Sequence, residues 1–335
     1  MTPTRPAPAW PAALGLLAGA VLDHVLPDPE RGHPVALFGR AAGALERRMH
    51  APSRLRGTGY VVCAVLPVML AGAALQHRAR PWQRAALTGA ATWTVVGGAM
   101  LGREADLIAD ALESGDTAAA RHRLPHLCGR DPAALDEAGI ARATVESVAE
   151  NTSDAVVAPL VWGALLGLPG LLGYRAVNTL DAMVGHRSPR HARFGWAAAR
   201  LDDVANWAPA RLTAAIAAAA APLVGGSPSR AWRAVRRYGH RHPSPNAGQA
   251  EAAFAGALDV RLGGTNVYGN RVEHRPRLGT GRAPGAHDIR RAVRLSRAVH
   301  ATAALLAAAG SLALARGARV RPARGRAAAA RARYR

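Results

Sequence analysis

The stretch Gly57–Gln76, GTGYVVCAVLPVMLAGAALQ, contains twenty consecutive residues without a charged side chain. A helix needs about 20 apolar residues to cross the ~30 Å hydrocarbon core of a bilayer, so this stretch is long enough to span one. Four more uncharged stretches of 18 to 20 residues follow, namely Ala85–Gly102, Ala155–Tyr174, Leu212–Ser229 and Ala298–Ala315. The sequence therefore predicts a mostly α, polytopic helical membrane protein. It should contain about four to five apolar helices with polar helical and loop regions between them.

The N-terminal stretch Pro11–Val25 is also apolar but contains Asp23 and His24. It lacks the charged start and the small-residue cleavage site of a signal peptide, so we do not interpret it as one. The alternative for the whole chain is a large soluble α protein, because many of the apolar stretches are rich in weakly hydrophobic alanine.

Charge and composition exclude several classes of function. The chain has 335 residues and a formal net charge of +21, and every basic residue is arginine because lysine is absent. No P-loop lysine or Schiff-base lysine is therefore available. The two cysteines, Cys63 and Cys128, are too few for a disulfide framework or an iron–sulfur cluster.

The high net charge does not predict a nucleic-acid partner. Eight arginines lie in the last twenty residues, and others flank uncharged stretches, as in juxtamembrane loops that contact membrane lipid. We interpret residues 1–315 as a single integral-membrane domain and residues 316–335 as an Arg/Ala-rich tail that is disordered or lies on anionic headgroups. Arg230–Arg297, with fourteen arginines and several Gly and Pro, is expected to be largely loop-like.

The first candidate site is a run of acidic residues. Glu146, Glu150 and Asp154 recur every four residues, which would place three carboxylates on one helix face. Like charges at this spacing repel by a few tenths of a kcal/mol per pair, so a cation or an arginine is expected to neutralise them. Mg²⁺ bridged to substrate phosphates is held by one or two carboxylates and would suit this face. The alternative is a solvated helix end, with Thr152 or Ser153 capping the next helix.

The second candidate site combines two segments near apolar stretches. Asn178–Gly185 contains Asp181, and Phe194–Asn206 contains Asp202 and Asp203. Asp202 would share a helix face with Asn206, whereas Asp203 would pair with Arg200 at i,i+3. Acidic groups at a membrane are costly unless they are paired or functional, so a structural salt bridge is the alternative.

Two loop signals are weaker. His242–Gly248, followed by Glu251, and the later Gly263–Gly269 contain prolines that fix a loop and glycines whose backbone N–H groups can approach an anion. A surface turn would explain these patterns equally well. Near the start, His33-Pro34-Val35 contains a histidine that is more often structural than catalytic.

Taken together, the motifs resemble the CobD/CbiB family of cobalamin biosynthesis. They occur in order between Leu14 and Tyr268: HPV (33–35), CGRD (128–131), ENTSD (150–154), YRAVNTLDAMVGH (174–186), FGWAAARLDDVANWAPARLTA (194–214) and SPNAGQAEAAFAGALDVRLGG (244–264). Two features depart from the family pattern. An early Gly-Asp-Pro reads Pro27-Asp28-Pro29 here, and the Arg/Ala tail has no counterpart.

The resemblance implies a carbon–nitrogen ligase, an adenosylcobinamide-phosphate synthase. It would use ATP and Mg²⁺ to join (R)-1-aminopropan-2-yl phosphate, or aminopropanol, to a propionate carboxylate of the corrinoid adenosylcobyric acid. No tightly bound cofactor is expected, and other enzymes of the pathway are candidate partners.

The resemblance also implies roles for particular residues. We expect the catalytic residues to be Glu146, Glu150, Asp181, Asp202 and Asp203. Substrate and phosphate groups would contact Arg130, Asn151, Asn178, Arg200, Arg211 and Asn246. Mg²⁺ would bind to Glu150, Asp154 and Asp181.

One shared site constrains the topology. If Ala155–Tyr174 crossed the membrane, Asn151 and Asn178 would lie on opposite faces. Pro159 and the Leu168-Pro169-Gly170 break therefore predict a re-entrant segment or a buried hairpin. Because ATP and corrinoid intermediates are cytosolic, we expect a multi-pass protein of the cytoplasmic membrane with its site facing the cytoplasm. The alternatives are a transporter of a corrinoid or other small solute, and a non-catalytic membrane scaffold.

Overall fold

The computed structural model describes residue 8 and residues 10–26, 32–186, 188–268 and 271–332. Pro27-Asp28-Pro29 lies outside the described residues. The described chain is predominantly helical. Its helices are α1 (Trp10–Val25), α2 (Pro34–Met49), α3 (Arg54–Arg78), α4 (Pro81–Val95), α5 (Gly98–Glu113), α6 (Thr117–Arg123), α7 (Glu137–Asn151), α8 (Ala158–Leu166), α9 (Leu168–Leu180), α10 (Trp196–Ala205), α11 (Trp207–Ala220), α12 (Pro228–Tyr238), α13 (Ala247–Leu258) and α14 (Ala286–Ala332).

Four helical segments are long and apolar enough to cross a membrane. They are Arg54–Arg78, Pro81–Glu113, Trp207–Val224 and Ala286–Gly317, and each overlaps one of the apolar stretches of the sequence. The shorter helix α1 is also apolar. The predicted fold class, a polytopic helical membrane protein, is confirmed.

The remaining apolar stretch, Ala155–Tyr174, is a helical hairpin. Its two arms, α8 and α9, meet at Gly167, which has φ +71° and ψ −141°, and the amide of Leu168 donates a hydrogen bond to Gln76 Oε1 at 2.8 Å. An added Cβ at Gly170 would lie 2.1 Å from the carbonyl oxygen of Trp162, so the arms are in close contact. The chain reverses direction at Gly167, as the predicted break requires.

Helix α9 packs antiparallel to α3. The position of Gly72 faces Pro169 at the start of α9, whereas Met69, one turn earlier in α3, faces Gly173 further along α9. The tip of the hairpin therefore lies beside the end of α3, and the other end of α9 points back toward the beginning of α3. The residues before α8 and after α9 lie at the same end of the hairpin.

The prediction that Arg230–Arg297 is largely loop-like is wrong. This region contains most of α12, the whole of α13, the start of α14 and an antiparallel two-stranded sheet of β1 (Leu262–Tyr268) and β2 (Arg271–Leu278). Helix α12 buries Ala231, Ala234, Val235 and Tyr238 on one face and leaves most of its arginines on the other. Its helical periodicity was obscured by the high arginine content.

Helix α14 continues through Arg316 to Ala332, where the sequence suggested a disordered tail after residue 315. Alanine and arginine are both strong helix formers, which favours extension of the preceding helix. The main core lies between α5, α7, α11, α13 and α14, and a second core joins α2, α3, α9 and α10. The candidate site lies where α7, α9, α10 and α13 meet.

Candidate functional site

Five of the predicted acidic residues come together from three parts of the chain. Glu146 and Glu150 belong to α7, Asp154 lies in the following π-helical turn, Asp181 begins a second π-helical turn, and Asp202 lies on α10. The negative charges of Glu150, Asp181 and Asp202 all raise the pKa of Asp154, after the larger effect of burial. The separate sequence motifs therefore form one site, which we call the acidic cluster.

Two of the three parts of the acidic cluster contain π-helical turns, Thr152–Val157 and Asp181–Gly185. The prediction of a single regular helix face through Asp154 is therefore only partly correct, because α7 ends at Asn151. A π-helical turn inserts an extra residue and redirects the side chains that follow it. Such turns occur frequently at functional sites.

Burial and mutual repulsion keep protons on the acidic cluster. Burial, together with the smaller effects of the charges of Asp202, Asp203 and Glu150, raises the pKa of Asp181 to about 7. The pKa of Asp202 is raised to about 6, also mainly by burial. Burial likewise raises the pKa of Glu150. Ionisation of all these carboxyl groups at the same time is therefore unfavourable, and binding of a cation or a proton relieves the repulsion.

Asparagine and tyrosine side chains fix the carboxylate of Asp202. Asn206 Nδ2 donates to Asp202 Oδ2 at 2.9 Å, and Asn178 Nδ2 lies 3.4 Å from Asp202 Oδ1. The hydroxyl of Tyr174 lies 2.8 Å from Asn206 Oδ1, so the amide of Asn206 is held at both ends. These contacts lower the freedom of Asp202 to rotate.

The carboxylate of Glu146 already has two partners, an arginine and a backbone amide. Its carboxylate forms a buried ion pair with Arg130 and accepts a hydrogen bond from the backbone N–H of Gly263 at 2.6 Å. Arg142 donates to the carbonyl oxygens of Gly263 and Thr265, which fixes the same turn. Gly263 has φ +80°, and its N–H contacts an anion, as the sequence suggested, but that anion is Glu146. The contacts favour a positioning role for Glu146.

Three residues of the site were not predicted as site residues, namely His242, Glu251 and Arg275. The carboxylate of Glu251 is buried, and Glu146 and Glu150 raise its pKa in addition to burial. His242 Nε2 lies 3.7 Å from Glu251 Oε1 and 2.8 Å from Arg275 NH1. Burial and the charge of Arg275 lower the pKa of His242 to about 4. His242 and Glu251 belong to a loop pattern that the sequence analysis identified. No feature of the sequence around Arg275 indicated that it belongs to the site.

The remaining predicted residues lie around the acidic cluster. Arg200 pairs with Asp203 at 3.3 Å and is 63% exposed. Asn246 Nδ2 donates to the carbonyl oxygen of Asp203 at 2.8 Å and Arg211 donates to Asn246 Oδ1 at 3.3 Å, so these residues form a connected rim. Asn151 donates to the carbonyl oxygen of Ser147 in its own helix.

The ligand atoms of the three carboxylates predicted to bind Mg²⁺ do not all lie within 4.8 Å of one another. In the described ranges, the one group of three or more His, Cys, Asp or Glu residues with ligand atoms within 4.8 Å of one another is elsewhere. Glu150, Asp154 and Asp181 are nevertheless half-buried, and their charges raise one another's pKa. The charge of this set fits a hard cation bound by one or two carboxylates and completed by substrate oxygens.

Comparisons with known proteins agree with the motifs. A family model described as CobD/Cbib protein matches residues 16–296. The cobalamin biosynthesis protein CobD of Mycobacterium tuberculosis strain H37Rv is 58% identical over 296 residues, which cover 88% of this chain and 94% of the relative. That of Chromobacterium violaceum is 43% identical over 293 residues, covering 85% and 92% of the two chains.

A third relative, the cobalamin biosynthesis protein CobD of Rhodobacter capsulatus, is 42% identical over 271 residues, covering 79% of this chain and 85% of the relative. No solved structure matches the chain. The family match includes every residue of the acidic cluster. The chain therefore belongs to the CobD/CbiB family of cobalamin biosynthesis proteins.

Proposed function

We propose that this protein is a ligase that forms an amide bond at the expense of ATP. Its substrates would be a propionate carboxylate of adenosylcobyric acid and (R)-1-aminopropan-2-yl phosphate, or aminopropanol, and its product adenosylcobinamide phosphate or the corresponding alcohol. The observation that carries the proposal is the convergence of half-buried Glu150, Asp154 and Asp181 and buried Asp202 in one cluster. Family membership and the names of the relatives supply the substrate class.

The reaction has two chemical problems, which are the poor electrophilicity of a carboxylate and the protonation of the amine. Transfer of a phosphoryl group from ATP to the propionate oxygen forms an acyl phosphate and ADP. The amine nitrogen then attacks the acyl carbon, the C–O bond to phosphate breaks, and inorganic phosphate leaves. The ammonium substrate must lose one proton before attack and the nitrogen a second one during amide formation.

Asp181 is suited to accept a proton from the ammonium group. Its pKa, raised to about 7 by burial and by neighbouring carboxylates, matches the working pH better than that of an ordinary aspartate. Asp202, held by Asn206 and Asn178, would fix the amine through a charge-assisted hydrogen bond. This division gives the two neighbouring carboxylates different tasks.

Of the three residues predicted to bind Mg²⁺, Glu150 and Asp154 would hold the ion. Asp181 would remain free to act as the base. The metal ion neutralises negative charge on the phosphates of ATP when it is bound. The exposed guanidinium group of Arg200 and the half-buried one of Arg211, on the rim of the site, would contact phosphates of ATP or of the aminopropanol phosphate. Arg130 would act indirectly, since it holds Glu146 in place.

We further propose that the protein lies in the cytoplasmic membrane with the acidic cluster facing the cytoplasm, where ATP is available. Four long apolar helices support the membrane location. The hairpin of α8 and α9 supports one shared face, since its ends return to the same side.

The test is a ligation assay on the full-length protein in detergent. Adenosylcobyric acid, Mg-ATP and the amine are incubated with it, and the corrinoid is analysed by mass spectrometry. We expect an ATP-dependent mass gain of one amide, and a loss of about 10²–10⁴-fold in rate for Asp181→Asn. Asp110→Asn, at an exposed acid on α5, is the matched control.

Absence of product from folded wild-type protein, or an unaltered rate in Asp181→Asn, would overturn the proposal. Uptake of the corrinoid into liposomes without ligation would instead support a transporter. The two results are distinguished by whether the recovered corrinoid has gained mass.

A further inference from the structure

A second cluster of ionisable side chains lies between α1 and α14, two helices that contribute no residue to the acidic cluster. It consists of Asp23 and His24 at the end of α1 and His300 on α14. His24 Nδ1 and His300 Nδ1 lie 3.7 Å and 3.8 Å from Asp23 Oδ2. One ligand atom from each residue falls within 4.8 Å of the other two.

His300 is the anomalous member of this group. Its side chain is only 3% exposed, and neither ring nitrogen has a hydrogen-bond partner among the residues that the structure describes. The 3.8 Å separation from Asp23 is too long for a hydrogen bond. A buried polar group without a hydrogen bond is costly, so an additional ligand at these nitrogens would remove an energetic penalty.

Gly98 leaves space at the centre of the cluster. A Cβ added there would lie 2.8 Å from His300 Nδ1 and 3.1 Å from Asp23 Oδ2. The next residue, Ala99, donates its backbone N–H to Asp23 Oδ2 at 3.0 Å, which orients the carboxylate toward the two imidazoles. A side chain at position 98 would therefore fill the space that faces both donor atoms.

Two imidazole nitrogens and one carboxylate oxygen form a donor set typical of zinc and similar first-row divalent metals. Bond lengths of 2.0–2.2 Å in a tetrahedral site place ligand atoms about 3.3–3.5 Å apart. The two separations from Asp23 Oδ2, 3.7 Å and 3.8 Å, thus exceed these distances by only a few tenths of an ångström. The two imidazole nitrogens, which lie within 4.8 Å of each other, would move closer together when the ion binds. His24 is 42% exposed, which provides a path for entry of a metal ion and room for a water ligand.

We propose that Asp23, His24 and His300 bind one Zn²⁺-type divalent metal ion that links the end of α1 to α14 and to the start of α5. The metal stabilises the packing of these three helices. This site is independent of the proposed ligase activity, because its ligands lie outside the acidic cluster.

The test uses the full-length protein in detergent, treated with EDTA and then titrated with Co²⁺ as a visible-absorption probe. We expect one tightly bound ion per chain with an absorption spectrum of histidine coordination. His300→Gln should weaken Co²⁺ binding by more than about tenfold. Gly98→Ala, which retains all three ligands, should weaken it as well. His122→Gln, at an exposed histidine of α6, should leave Co²⁺ binding unchanged.

A second measurement separates metal binding from folding. Zn²⁺ should raise the Tm of the wild type and of His122→Gln, because a ligand that binds the native state stabilises it. It should not raise the Tm of His300→Gln. Less than one bound ion per chain, or equal Co²⁺ affinity in wild type and His300→Gln, would overturn the proposal and assign the buried nitrogens of His300 to water.

Discussion

The hydroxyl oxygen of Tyr174 lies 2.8 Å from the backbone carbonyl oxygen of Asp154, twenty residues earlier in the chain. This contact connects α9 to the π-helical turn that precedes α8. The same hydroxyl lies 2.8 Å from Asn206 Oδ1, and Asn206 in turn donates to Asp202. One tyrosine therefore connects all three segments that carry the acidic cluster.

Tyr174→Phe should lower the free energy of unfolding by about 1–3 kcal/mol, because it leaves buried acceptors without their donor. Ligation should slow as well, since Asn206 would no longer hold Asp202 firmly. Thermal unfolding and the ligation rate measure the two effects.

The matched control is Tyr60→Phe. The hydroxyl of Tyr60 is buried without a hydrogen-bond partner in the described part of the chain, so its removal should be neutral or stabilising. Equal losses of stability in the two variants would contradict the role assigned to Tyr174.

Gly170→Ala should separate the arms of the hairpin. Its new methyl group would lie 2.1 Å from the carbonyl oxygen of Trp162, and overpacking of this kind costs about 1–3 kcal/mol of stability. Gly310→Ala in α14 is the control, since its Cβ meets no described heavy atom within 4 Å. Chemical denaturation in detergent should show a loss for Gly170→Ala alone; a Gly170→Ala protein as stable as wild type would exclude the close approach of α8 and α9.

The contribution of Asp181 and Asp202 to the stability of the metal-free protein should fall as pH rises from about 4 to about 7. The pKa of Asp181 is raised to about 7 and that of Asp202 to about 6, whereas an unfolded aspartate titrates near 3.9. Between these values the two carboxyl groups bind more protons in the folded state than in the unfolded state, so their contribution to the free energy of unfolding decreases with pH and levels off above about 7.

Asp181→Asn should flatten this decrease and raise the Tm at pH 8 while it lowers ligation. Thermal unfolding in EDTA from pH 4 to pH 8 tests the point, with Asp110→Asn as a control outside the acidic cluster. A difference in Tm between Asp181→Asn and the wild type that stays the same from pH 4 to pH 8 would show that burial does not raise the pKa of Asp181.

Single cysteines at positions 151 and 178 should react with a membrane-impermeant thiol reagent from the same side of the membrane. The reason is the reversal at Gly167, which returns α9 alongside α8. Cys63 and Cys128 are first replaced by serine. Arg80→Cys, just after the end of α3, should react from the opposite side. Labelling of positions 151 and 178 from opposite sides would refute the shared site.

Several properties followed from the sequence because they depend on local composition. Long uncharged stretches predicted the membrane helices, and a Pro-Gly pair predicted the break in Ala155–Tyr174. The regular helix face through Asp154 was predicted less well, because the π-helical turn at Thr152–Val157 depends on packing. The helices of Arg230–Arg297 were missed because arginine content was taken as a sign of loops.

The sequence by itself determined that this chain crosses a membrane and carries acidic motifs of the CobD/CbiB family. Hydrophobicity and charge are properties of each residue, so they can be read along the chain. The tertiary structure decided that Asp154, Asp181 and Asp202 share one partly buried site, that Glu146 is paired with Arg130, and that Arg275 approaches His242. Burial and electrostatic coupling depend on which segments pack together, and residues 16 to 48 positions apart carry no local signal of that contact.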